Sequence, residues 1–157
     1  MSTDNNVDTL TNRYLTFPLG EDTLAIEIKN IIEITGLQNI TKVPEVPDYI
    51  EGVINMRGRP IPVVNVKKKF NLYQSEDNNY RTNIIVLDID DVTVGLTVDA
   101  VKDVITVEGS EMFPYTKKGL YDDCDYIQSI AKVDGETILF LNCNKLLGIE
   151  NNQKEML

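Results

Sequence analysis

Apolar and polar positions alternate along much of the chain. Leu15, Phe17 and Leu19 are spaced by Thr16 and Pro18, and Leu24, Ile26 and Ile28 by Ala25 and Glu27. A period of two predicts strands with one buried face, and the polar Gly20-Glu21-Asp22 between the two runs predicts a hairpin. Ile84 to Ile89 and Val92 to Val98 repeat the pattern around Asp90-Asp91. A second kind of hairpin follows each of these. Val53 to Met56 and Ile61 to Val66 flank Arg57-Gly58-Arg59, and Ile130 to Val133 and Thr137 to Cys143 flank Asp134-Gly135-Glu136. The glycines at 58 and 135 mark turn positions that call for positive φ. Helix is scarce: single turns are expected at Tyr49 to Gly52, at Lys67 to Leu72 and at Asn144 to Leu147.

These similarities form a repeat. Adding 70 carries Leu15, Phe17 and Leu19 onto Ile85, Leu87 and Ile89, and Ile31, Glu33 and Ile34 onto Val101, Asp103 and Val104. Adding 77 carries Tyr49-Ile50 onto Tyr126-Ile127, Gly58 onto Gly135 and Asn65 onto Asn142. The chain therefore contains two related units of about 15–70 and 84–147, joined by the polar linker 71–83, with flexible tails at 1–12 and 150–157. Some five short strands per unit is the size of a small SH3-like barrel. A barrel that small buries little alone, so the two are expected to pack together across an apolar face.

Composition narrows the function. The 157 residues include no histidine, which removes Ser-His-Asp triads, Cys-His pairs, histidine metal ligands and phospho-accepting histidine. A net charge of −10 opposes nucleic-acid binding. No apolar run approaches the ~20 residues of a membrane helix, and no basic, apolar leader follows Met1. Two cysteines, Cys124 and Cys143, are too few for a disulfide framework, so a cytoplasmic protein is expected. The acidity is uneven: residues 15–70 carry seven basic and seven acidic side chains, whereas residues 85–147 carry five and twelve. The neutral unit is the better docking half. The matching turns differ in the same sense, with Arg57 and Arg59 in the first unit replaced by Asp134 and Glu136 in the second. A turn arginine beside Asn55 and Gly52 can clamp a carboxylate on a partner.

Three other functions fit less well. Ile84 to Asp91 has the look of a phospho-receiver's first strand and acidic pair, but the period-two run Val92 to Val98 puts a strand where a receiver needs a helix. In Asp122-Asp123-Cys124-Asp125 the carboxylates would raise the thiol's pKa, the wrong direction for a nucleophile, and the spacing is not that of a calcium loop. Barrels of this size are too small to enclose a ligand.

The string from Tyr49 to Val66, with Gly52-Val53-Ile54-Asn55-Met56-Arg57-Gly58 at its centre, resembles the signature of the CheW-like family of chemotaxis coupling proteins. Ile31-Ile32-Glu33-Ile34 before Val43-Pro44, and Val94 to Asp99 with Val101 and Val104, extend the resemblance over 14–148. It implies an all-β fold of two five-stranded SH3-like barrels related by a pseudo-twofold, with terminal strands free to cross between them. It implies no catalysis, metal or cofactor. The implied role is an adaptor between the cytoplasmic tips of chemoreceptors and the regulatory domain of the histidine kinase CheA, recruited to membrane-associated arrays without inserting into the membrane. A module of a CheV-type or CheA-type protein is the alternative, and Met1 with polar ends favours a free-standing protein. By position, the resemblance assigns Arg57, Asn55, Gly52 and Glu33 to receptor binding, with Glu33 pairing Arg57. It assigns Leu15, Ile28, Ile31 and Ile34 to kinase binding. The chain departs from the family pattern at Asn65, Ser129 and Asn142-Cys143.

Overall fold

The computed structural model describes residues 11–70, 83–115 and 126–148. The linker up to residue 82, tail residues 1–10 and 150–157, and the Asp122 to Asp125 cluster with Cys124 lie outside the described residues. In chain order the elements are β1 (Arg13–Leu19), β2 (Asp22–Glu27), a 3-10 turn (Ile28–Asn30), β3 (Ile31–Gly36), β4 (Ile50–Met56), β5 (Arg59–Asn65) and α1 (Val66–Lys69). Then follow β6 (Asn83–Ile89), β7 (Val92–Val98), β8 (Val104–Thr106), a second 3-10 turn (Gly109–Glu111), β9 (Phe113–Pro114), β10 (Ile127–Val133), β11 (Glu136–Leu141) and α2 (Cys143–Leu147). Tyr49 to Gly52 is not helical: a turn closed by Ile50 N–H donating to Pro47 O at 3.0 Å leads directly into β4.

The strands form two sheets, ordered β8-β1-β2-β11-β10-β9 and β3-β6-β7-β5-β4. Neither follows the division of the chain at 70 and 84. Each repeat unit sends its first hairpin into the sheet built mainly by the other, so β1–β2 joins β10–β11 and β6–β7 joins β4–β5. The exchange is reciprocal in register. Parallel pairing sets Phe140 opposite Ala25 in one sheet and Val63 opposite Gly95 in the other, and these pairs coincide under the repeat. Likewise Leu15 opposite Val104 matches Ile85 opposite Ile34. The sequence repeat is thus the pseudo-twofold of the fold.

Three apolar cores result. The central one lies between the sheets and is built from β1 and β2 (Phe17, Leu19, Leu24) and from β6 and β7 (Ile85, Leu87, Leu96). Each barrel has its own smaller core, around Tyr14, Ile138 and Phe140 in one and Ile54, Ile61, Val63 and Ile84 in the other. In the first, Tyr14 and Phe140 meet edge to face with ring centroids 4.8 Å apart. The expectation of one buried face per strand therefore fails for β1, β2, β6 and β7. Leu15 and Phe17 face the central core while Tyr14 on the other face serves the barrel core, because these hairpins lie between two cores at once.

Candidate functional site

The β4–β5 hairpin closes on the two residues Arg57 and Gly58, with φ of 54° and 81°. Two successive positive φ values make a type I′ turn, whose twist suits an antiparallel pair. The matching turn at Asp134 and Gly135 has φ of 52° and 82°. Aspartate tolerates that left-handed conformation; arginine has no side-chain acceptor with which to support it, so Arg57 holds its place against local preference. The support comes from Asn55, whose Oδ1 accepts the Gly58 N–H at 2.9 Å.

Arg57 Nη2 lies 3.4 Å from Glu33 Oε1. Glu33 sits on β3, at the opposite end of the sheet order from β4. The pair therefore spans the closure of the barrel, bringing together residues that are remote along the sheet. The Arg57 side chain remains 73% exposed and Glu33 38%, so the guanidinium, with five N–H donors, faces solvent beside a single carboxylate contact. Ile32 and Ile34, which flank Glu33, and Leu37 beyond them are exposed apolar side chains. A cationic turn beside an apolar edge strand suits an amphipathic protein surface better than a small molecule.

Gly52 takes a different part. It is buried, with φ of 142° at a register shift in the β4–β5 ladder. A Cβ there would lie 2.1 Å from the carbonyl oxygen of Thr41. The glycine admits the backbone of Thr41, which exchanges hydrogen bonds of 2.8 and 2.9 Å with Val53. Of the four residues assigned to receptor binding, the structure brings Glu33, Asn55 and Arg57 together at the turn and sets Gly52 back along β4, buried against Thr41.

The four residues assigned to kinase binding separate in the same way. Leu15 is 5% exposed and belongs to the central core, which departs from a partner-facing position: it pairs with Ile26 and Val104 on either side and is covered by the second sheet. Ile28 and Ile31 are half-buried and pack against that core. Ile34, at 42%, is the exposed one.

Sequence reasoning missed a polar cluster at the end of the β4–β5 hairpin opposite the Arg57 turn. Glu51 Oε2 accepts from Asn65 Nδ2 at 3.0 Å and from Thr97 Oγ1 at 2.6 Å, and both donors are buried. Asn65 Oδ1 caps α1 by accepting the Lys68 N–H at 3.1 Å. This accounts for the departure at 65: an aspartate would cap the helix equally well but would turn a carboxylate, not an amide donor, toward Glu51. Asn142 caps α2 in the same manner through the Lys145 N–H at 3.1 Å. Ser129, the counterpart of Gly52, lies outside the positive-φ region and pairs with Pro114, so it has no need of glycine. No alternation pattern reveals the cluster, because its three side chains come from β4, β5 and β7 and meet only in the folded sheet.

A family model, the CheW-like domain, matches residues 13–151. The chain belongs to the CheW-like family. It is 34% identical over 142 residues to the chemotaxis protein CheW of Bacillus subtilis strain 168, covering 90% of each chain. It is 34% identical over 141 residues to that of Thermotoga maritima, covering 85% of each. The crystal structure of the scaffolding protein TtCheW from Thermoanaerobacter tengcongensis superposes with a TM-score of 0.76 at 32% identity, over 83% of this chain and 88% of that one. The two sheets described above are thus the paired SH3-like barrels of the CheW-like fold, and the Arg57 turn lies on the barrel formed by β3, β6, β7, β5 and β4.

Proposed function

We propose that this CheW-like chain is a non-catalytic chemotaxis adaptor that couples chemoreceptor cytoplasmic tips to the regulatory domain of the histidine kinase CheA. The observation that carries the proposal is the Arg57 turn. An arginine held at φ 54° and paired with Glu33 across the barrel closure, with most of its side chain exposed, suits a protein-binding surface in a family whose members are named for chemotaxis. Arg57, Glu33 and the Asn55-supported turn face the receptor, with Gly52 holding the backbone of β4 that leads into the turn. Ile34, with Ile28 and Ile31 behind it, contributes to the kinase face. CheW proteins matched over 85–90% of their own length favour a coupling protein over a CheV-type or CheA-type module. No helix among the described residues is long and apolar enough to cross a membrane.

The test is Arg57→Asp in a reconstituted receptor–kinase assay. The variant retains the circular dichroism and unfolding midpoint of the parent within ~1 kcal/mol, since only an exposed ion pair is lost. Receptor-dependent activation of the kinase falls to background. Full activation by the folded variant would remove Arg57 from the receptor contact.

A further inference from the structure

The crossed hairpins bear on how the chain holds together. Among the described residues, the ladders within residues 11–70 are β1 with β2 and β4 with β5, two separate hairpins. Within residues 83–148 they are β6 with β7, and β9, β10 and β11 together. The ladders that knit these pieces into sheets all run between the halves: β1 with β8, β2 with β11, β3 with β6 and β5 with β7. The central core likewise takes Phe17 and Leu24 from the first half and Leu87 and Leu96 from the second. The first half has two unjoined hairpins, and the second adds to its hairpins only β9, a strand of two residues; with the central core shared between the halves, such pieces are marginal alone in water.

The repeat would equally allow each unit to close on itself, setting β2 beside β5 and β7 beside β11. That arrangement would place Val63 next to Ala25 and Phe140 next to Gly95. In the crossed arrangement Phe140 stands opposite small Ala25 and against Tyr14. Val63 stands opposite Gly95, where a Cβ would already come within 2.9 Å of Ile84 Cγ2 and 3.5 Å of Val63 Cγ2. Both arrangements set a large side chain against a small one, and the close approach that keeps residue 95 a glycine is to Ile84 of the same half, with Val63 at ordinary contact distance; the dependence of each half on the other rests on the ladders and cores that cross between them.

We propose that the two repeat units are obligate folding partners. The chain is a fused, intertwined heterodimer of its own halves, and the covalent link between residues 70 and 83 is dispensable for the native assembly. The surface each half offers is the edge of two hairpins and one side of the central core, and the partner that fits it is the complementary repeat half.

The test inserts a protease site between residues 75 and 78, confirms native folding of the intact chain, and then cuts it. The cut protein is expected to elute as a 1:1 complex of halves with parental circular dichroism. Its urea midpoint becomes dependent on protein concentration, whereas that of the intact chain does not. Each half separated in denaturant and refolded alone shows no cooperative unfolding, and remixing restores it. If the inserted site prevents folding, co-expression of residues 1–75 and 76–157 as separate chains replaces it, with co-purification expected. Separation of the halves under native conditions, failure to co-purify, or cooperative unfolding of either half alone would overturn the proposal.

Discussion

Replacing Gly52 with alanine separates two roles that a binding-site motif leaves merged. The added Cβ would fall 2.1 Å from the Thr41 oxygen and 2.8 Å from its carbonyl carbon, both backbone atoms that cannot rotate away. The segment carrying Thr41 must therefore withdraw from β4, giving up its two hydrogen bonds with Val53. At ~1 kcal/mol each these contribute about 2 kcal/mol. Holding a non-glycine residue at φ 142° adds about 1–3 kcal/mol. The total, about 3–5 kcal/mol, is a large part of the stability of an ordinary domain and corresponds to a fall in Tm on the order of 6–20 °C. Thermal and urea unfolding measure it directly. Gly58→Ala is the control: its Cβ meets nothing within 4 Å, so only the left-handed backbone matters, at about 1–2 kcal/mol. A Gly52→Ala protein as stable as the parent but weak in receptor binding would refute the reasoning and make Gly52 a contact residue.

Arg57→Asn replaces a poorly suited residue at positive φ with a favoured one and loses only an exposed ion pair; unfolding in urea should show a stability change within ~1 kcal/mol, while receptor coupling disappears. Ile34→Glu should keep the parental unfolding midpoint and weaken kinase binding in a titration, whereas Leu15→Glu, which puts a charge into the central core, should fail to give folded protein by circular dichroism. Burial, and less so the nearby Glu27 carboxylate, pushes the Cys143 thiol up to about 12 from 9.0. The unfolded chain then releases this proton first, so its contribution to stability is complete below pH 9 and declines by about 1.4 kcal/mol per pH unit above it, up to the folded pKa. Tyr14, raised by burial and by Glu27, adds to the loss at higher pH. Cys143→Ala should flatten the alkaline limb of stability measured by urea titration at pH 8 to 11.

Much of the fold was legible because it depends on local chemistry. The hairpins around Gly20, Gly58 and Gly135 follow from alternation and turn residues, and the Asn65 and Asn142 turns begin helices where expected. The repeat at offsets of 70 and 77 survives as the pseudo-twofold, because the same alternation must fill the same barrel positions twice. The Arg57 turn was legible as a difference between otherwise matching copies. Leu15 was not legible as a core residue. An apolar position on an alternating strand shows that one face is buried, not whether another sheet or another protein covers it.

By itself the sequence determined an all-β chain of two copies of one module, a chain without histidine chemistry, and an arginine turn in the neutral copy alone. Only the tertiary structure decided that each copy completes the other's sheet, that Gly52 is a backbone clearance, and that the pairing of Glu33 with Arg57, which the resemblance had implied, spans the barrel closure. Propensity and alternation act between near neighbours in the chain. Which hairpin edges pair lies beyond their reach: Phe140 meets Ala25 and Val63 meets Gly95 only once both halves are in place.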